Sequence, residues 1–327
     1  MKQRTFAVIA ALFSSITCSA QPSSAAEDFP SRPVRFIVPY PAGGGVDILI
    51  RAIGQELSIR WKQPVVVENR GGAAGIIGTQ AVANAAPNGE TLLATVDSPF
   101  TANRYLFKSL PYDPEKSFAP VAMLVRNYNF VLAHPSVAAN SLREVVALAK
   151  SEPGKLNFGS YGQGSHPHLL FGLLAQREGV QMTHVPYKGV TPLLTAIVAN
   201  EVPLTTGSAA VASAQIKAGR LKPIAYAGPK RSADFPDVPT TAEQGYGYLL
   251  SPIWYGVFAP AGTPPAIVEK INQDIRAVLT DADFVRRNVT PKGQEVAIGK
   301  PEDLAAAIRQ DSTLVGEMAK AAGLKPE

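Results

Sequence analysis

Cysteine occurs once in the 327 residues, as Cys18, and tryptophan twice. Cys18 falls in a segment expected to be removed, so the remaining chain has no thiol for a disulfide, a zinc site or nucleophilic catalysis. Histidine is limited to His134, His166, His168 and His184, and no H-E-x-x-H, G-x-S-x-G or G-x-x-x-x-G-K-[ST] pattern is present. Charged residues make up 17% of the chain, for a formal charge of +5 and no basic cluster, which speaks against nucleic acid as a partner. No apolar run reaches the roughly 20 residues that span a bilayer.

What is present begins with a leader. Lys2 and Arg4 precede an apolar run from Phe6 to Ile16, and small residues then lead to Ala26, the order of a secretory signal peptide. Residues 1–26 are therefore expected to be cleaved near Ala26; a cut after Ala20 also fits. Loss of Lys2 and Arg4 takes the charge from +5 to +3, and the mature protein is expected in the periplasm. About 300 residues at 46% hydrophobic content exceed what one core absorbs, so two are expected.

Strand, turn and helix alternate along the chain. Strands are expected at 34–38, 64–67 and 91–96, with helices over 47–59 and 76–86 between them. Further strands at 118–125 and 130–133 flank a crossover. A second block places helices at 142–150, 167–178, 192–199 and 210–218 among strands at 155–158, 183–185, 202–206 and 221–227. A strand at 254–258 and helices over 265–279 and 301–321 close the chain. This rhythm predicts an α/β protein of two domains, each a mostly parallel sheet flanked by helices. The division expected is 27–125 with 228–327 as one domain and 126–227 as the other.

One device recurs. Gly43-Gly44-Gly45, Gly71-Gly72 and the turn from Gly159 to Ser165 each lie between a strand and a helix. Bare backbone at a helix N-terminus offers free N–H groups and the positive dipole end to an anion, and in open α/β sheets such turns gather where ligands bind. Such turns also serve as plain structural punctuation. Neither nucleotide-type spacing is met, which favours a carboxylate over a phosphate. Two other readings attach to His166-Pro167-His168 beside Ser165. One is a secreted hydrolase-like enzyme of small organic acids working through Ser165 and His168; the other is a metal site at His166 and His168. The first lacks a nucleophile elbow and the second lacks a third ligand, so no catalytic residue, metal or cofactor is assigned.

An ordered set of motifs is more specific. It comprises Arg35-Phe36-Ile37-Val38-Pro39-Tyr40-Pro41-Ala42-Gly43-Gly44-Gly45-Val46-Asp47, Pro64-Val65-Val66-Val67-Glu68-Asn69-Arg70, Leu110-Pro111-Tyr112-Asp113-Pro114, Phe118-Ala119-Pro120 and His184-Val185-Pro186-Tyr187-Lys188-Gly189. Lys217-Ala218-Gly219-Arg220, Asp237-Val238-Pro239-Thr240, Trp254-Tyr255-Gly256 and Ala259-Pro260-Ala261-Gly262-Thr263-Pro264 follow. Over essentially the whole mature chain the sequence resembles the periplasmic receptors of tripartite tricarboxylate transporters, the Bug receptors.

The resemblance implies a type II periplasmic-binding fold and a small organic carboxylate as ligand. It further implies membrane transporter components, or a sensor domain, as partners, and a monomer. It maps the carboxylate grip, partly through bridging waters, onto Tyr40, Ala42, Gly43, Gly44, Gly45 and Asp47, and onto the turn holding Ser160, Gly164, Ser165 and His166. Tyr187, Lys188 and Gly207 fall where the family lines its cleft. Two departures stand out. Thr206-Gly207-Ser208 replaces a frequent Asp-Asn pair, and Asp97 and His166 stand where small residues are usual. Asp97 or His166 is therefore expected to meet a polar or cationic distal group of the ligand.

Overall fold

The computed structural model describes residues 29–326; the expected signal peptide lies outside the described residues. Val34–Val38 (β1) is buried on both faces except at Arg35, as a central parallel strand requires. It lies parallel to Val65–Asn69 (β2) on one side and to Thr91–Val96 (β3) on the other. Between β1 and β2 runs the helix Gly45–Trp61 (α1), whose Leu49, Ile50, Ile53, Leu57 and Trp61 form a buried stripe at helical spacing. Ile76–Ala83 (α2) links β2 to β3, and a single turn, Asn103–Leu106 (α3), follows.

Phe118–Ala133 (β4) is one 16-residue strand, where the sequence predicted two. The polar residues Arg126 to Asn129 read as a break. They continue the strand instead, because Asn127 and Asn129 are buried and the backbone stays paired to Ile253 and to Ser208 on either side. The second block follows as Leu142–Ser151 (α4), Asn157–Ser160 (β5), His166–Glu178 (α5), Thr183–Pro186 (β6), Val190–Val198 (α6), Leu204–Ser208 (β7), Ala209–Lys217 (α7) and Lys222–Tyr226 (β8). The chain returns along Pro252–Pro260 (β9) and ends with Pro265–Leu279 (α8), Ala282–Asn288 (α9), the short Glu295–Val296 (β10) and Pro301–Ala321 (α10). Neither α3 nor α9 was expected.

The strands form one continuous path, β2-β1-β3-β9-β4-β7-β5-β6, with β8 and β10 also pairing β4. The β2-β1-β3 group is parallel, as is β5 with β6 and β7, but β3–β9, β4–β9 and β4–β7 are antiparallel. The antiparallel centre has a topological cause. β4 leaves the first lobe and β9 re-enters it, so the two run in opposite directions side by side from Phe118↔Pro260 to Tyr128↔Pro252. Where they cross, Asn129 N donates to Ser251 O, its side-chain Nδ2 donates to Ser251 Oγ at 2.8 Å, and its carbonyl accepts from Ala227 N.

Four buried clusters sit on the two faces of the two half-sheets. Residues 228–251, expected with the first domain, place Val238, Tyr246 and Leu249 in the second-lobe clusters. The helix α10 serves both lobes: Leu304, Ala307 and Ile308 pack with Trp254 and Phe258, whereas Val315, Met318 and Ala319 pack with α5 residues. At its middle, buried Asp311 accepts from Trp254 Nε1 at 2.9 Å and from Arg126 Nη2 at 2.9 and 3.1 Å. Burial raises the Asp311 carboxyl above its ordinary range against the opposing pull of Arg126. Asp311→Ala leaves the guanidinium and the indole N–H without their acceptor. It is expected to lower stability by about 3 kcal/mol, with a smaller loss for Asp311→Asn, read as the shift in urea midpoint at constant slope.

Candidate functional site

The first glycine turn is shaped by Asp47. Its carboxylate accepts from Gly43 N at 2.8 Å, from Arg51 Nε at 3.0 Å and from Asn69 Nδ2 at 2.9 Å, and Asn69 Nδ2 also donates to Tyr40 O. Burial would raise this carboxyl, but these donors hold it below the ordinary aspartate value. With both oxygens engaged, Asp47 positions the turn, and its expected direct contact with ligand is not what the geometry provides. Gly43 sits at φ +86°, a backbone region costly to other residues. Beyond it, the N–H groups of Gly44, Gly45, Val46 and Asp47 have no protein acceptor among the described residues. Ala42, Gly43 and Gly44 are exposed.

The turn from Ser160 to His166 opens α5 from the other lobe in the same manner. Ser165 Oγ donates to Gly162 O at 2.6 Å, Gly162 N donates to Ser160 Oγ at 3.1 Å, and Gly164 N donates to His168 Nδ1 at 3.1 Å. Among the described residues the N–H groups of His166 and His168 have no protein acceptor. These bonds lend the hydrolase reading no support. Ser165 and His168 share no hydrogen bond, while Ser160, which does meet His184 Nε2 at 2.6 Å, is fully buried. His168 stacks on His184 with ring centroids 4.0 Å apart. Burial, and then the neighbouring His184, push His168 down to about 4. Among the described residues no three His, Cys, Asp or Glu side chains gather as metal ligands.

His166 and Asp97, expected as alternatives, meet each other. His166 Nε2 lies 3.4 Å from Asp97 Oδ2 and 3.1 Å from Pro252 O, and Nδ1 lies 2.8 Å from the Tyr161 hydroxyl. Burial alone would lower this imidazole, but Tyr161 and Asp97 outweigh it and raise it to about 10. The contact joins the lobes, since Asp97 follows β3 and His166 opens α5. On the first-lobe side stand Tyr40 and Tyr255, whose hydroxyl pKa values are raised by burial and then, among other causes, by the Asp97 charge. A Cβ at Gly45 would strike the Tyr255 hydroxyl, so the third glycine exists for close approach.

Of the other expected residues, Gly207 lines a cavity of about 120 Å³ with Asn129, Tyr161, Thr206, Ser208 and Ile253. The cavity faces the N-terminus of α7 and is otherwise walled by Leu132, Val190, Leu193, Leu194 and Val211. Tyr187 packs half-buried beside that apolar cluster and bonds Ser160 O through its N–H, whereas Lys188 is exposed. Sequence reasoning missed Thr95, Tyr161 and Ile253 as neighbours of the site, and took Tyr255 only as part of a motif. It also missed the left-handed backbone of Ala73 and Ala74 (φ 45° and 53°) beside Gly72 and Gly75, which tucks the turn over Tyr40.

Two lobes joined by crossing strands, with helix N-termini aimed at their boundary, define a ligand-binding protein of the type II periplasmic-binding class. The family model described as "Tripartite tricarboxylate transporter family receptor" matches residues 49–324, and the chain belongs to that family of solute-binding receptors. BugT of Bordetella pertussis is 33% identical over 309 residues, covering 94% of each protein. A UPF0065 protein of the same species is 34% identical over 308 residues, 94% of this chain and 95% of the relative. An R. palustris protein solved with adipate superposes at a TM-score of 0.80 with 31% identity, over 92% of this chain and 100% of its own. MatC of Rhodopseudomonas palustris with bound malate gives 0.74 and 32%, over 89% and 100%.

Two outcomes test this geometry. Gly45→Ala is expected to cost about 1–3 kcal/mol by overpacking, with much of the loss recovered in Gly45→Ala/Tyr255→Phe, measured by thermal unfolding. The histidines give opposite pH slopes. His166, raised when folded, contributes stability fully present below about pH 6.5 and lost toward 10. His168, depressed when folded, contributes stability present above about 6.5 and lost as pH falls toward 4. His166→Asn should therefore flatten the alkaline limb of the stability–pH profile, and His168→Asn should reduce the slope of the acid limb.

Proposed function

We propose that this protein captures a small organic carboxylate in the extracytoplasmic space, closes its lobes on it and passes it unchanged to the membrane components of a tripartite transporter. The observation that carries this reading is the pair of unsatisfied N–H clusters, 44–47 on one lobe and 166 with 168 on the other. A carboxylate between them gains both dipole ends, each worth about 0.3–1 kcal/mol and more when partly buried, together with hydrogen bonds that the free turns lack. The adipate and malate carried by two relatives belong to the same chemical class. In this reading Tyr40, Ala42, Gly43, Gly44 and Gly45 form one half of the grip, and Ser160, Gly164, Ser165 and His166 the other. Asp47 holds the first turn in shape, and Gly207, Tyr187 and Lys188 border the far side.

The hinge lies where β4 and β9 cross, near residues 126–129 and 251–253. The moving bodies are then 29–125 with most of the residues after 252, against 126–251, with α10 bridging them. Ligand contacts made by both lobes only when closed supply the population shift. The test is a thermal-shift screen of the mature protein against mono-, di- and tricarboxylates, aromatic acids, amino acids and amines. One class of carboxylate is expected to stabilise it, by about 2.7 kcal/mol at a hundredfold excess over Kd. A response to amines alone, or to none of the acids, would overturn the reading.

A further inference from the structure

Buried polar side chains without partners are rare, yet several collect at one place on the first-lobe face. Asp97 Oδ1 is buried with no hydrogen-bond partner, and the buried Thr95 and Tyr40 hydroxyls, which lie beside each other, have no other partner. Thr95 is wholly buried and Asp97 only 5% exposed. Tyr40 and Tyr255 both feel the Asp97 charge, so these groups form one neighbourhood at the boundary that His166 crosses. His166 does not complete it. Its Nδ1 meets Tyr161, its Nε2 meets Pro252 O and Asp97 Oδ2, and Oδ1 is left over.

We propose that Asp97 Oδ1, with the Thr95 and Tyr40 hydroxyls, is a specificity subsite that reads an O–H or N–H donor on the far end of a monocarboxylate and rejects a second carboxylate. The proposal rests on the capture reading above and adds which carboxylates are taken. The chemistry is set by what the three groups lack. A carboxylate oxygen accepts hydrogen bonds and donates none, so only a donor satisfies Oδ1. The two hydroxyls both donate and accept, so they adapt to whatever that donor is attached to. A ligand hydroxyl gives its proton to Asp97 and accepts from Tyr40 or Thr95; an amine or ammonium gives protons to all three. A methyl end leaves Asp97 Oδ1 buried and unpaired. A carboxylate end has no proton to give Oδ1 and sets acceptor against acceptor, and the His166 charge is already paired with Asp97, its two nitrogens both engaged. Discrimination of this kind, made by leaving buried polar groups unpaired, is far steeper than that made by apolar fit.

The experiment is calorimetric titration with two matched series on the wild type and on Asp97→Asn, which keeps the shape and removes the charge. The aliphatic series is butyrate, 4-hydroxybutyrate, 4-aminobutyrate and succinate with their five- and six-carbon counterparts. The aromatic series is benzoate, 4-hydroxybenzoate, 4-aminobenzoate and terephthalate. At the best-fitting length the wild type is expected to bind the hydroxy or amino acid at least about tenfold more tightly than both the methyl- or hydrogen-ended acid and the diacid. Asp97→Asn is expected to narrow the gap to the diacid by a similar factor. Preference for the diacid in the wild type, or an unchanged ratio in Asp97→Asn, overturns the subsite while leaving carboxylate capture standing. If Asp97→Asn does not fold, the wild-type ranking alone decides. Binding of no acid in either series removes the capture reading, and the subsite with it.

Discussion

The antiparallel ladder between β4 and β9 joins the two halves of the molecule. Because the chain passes from one lobe to the other on one strand and returns on the other, their backbone hydrogen bonds form a paired connection. Asn129 and Ser251 stitch it where the lobes part, and Asp311 clamps Arg126 and Trp254 from the side. A ladder that runs across the boundary fixes how the two lobes face each other. The glycine turns that open α1 and α5 thereby stand on either side of the lobe boundary.

Those turns work through vacancy in their hydrogen bonding. At the N-termini of α1 and α5 the backbone is left with donors, and the side chains near it are busy holding the backbone in that shape. Asp47 does this on one lobe; Ser160, Ser165 and His168 do it on the other. A side chain that points at the ligand is easy to recognise as functional. Here the groups left free are main-chain N–H groups, and the polar side chains around them act as braces.

The histidines divide in the same way. His168 and His184 stack in the second-lobe interior, where burial keeps them neutral, and His168 accepts a backbone N–H as a neutral ring must. His166, two residues earlier, sits between a carboxylate and a phenol and holds its proton to about pH 10. Neighbouring positions on one helix turn therefore carry opposite ionisation, decided by what faces each ring from outside the helix.

Much of the architecture was legible in the residues. Apolar runs ended by glycine and proline marked the strands, and α8 and α10 fall at their expected limits, because strand and helix periodicity follow from local side-chain spacing. The two glycine turns were likewise visible, since a helix N-terminus behind bare backbone has the same electrostatics wherever it lies. The tertiary structure alone decided the rest. It made a single strand of 118–133, because Arg126 to Asn129 look like a break until β9 and β7 supply their partners. It moved the packing of 228–251 to the second lobe, because Tyr246 and Leu249 have no local reason to prefer either core. It paired Asp97 with His166, 69 positions apart in sequence, and left Asp97 Oδ1 buried without a partner. Pairing across a lobe boundary depends on how two separately formed surfaces meet, and no spacing along the chain encodes that.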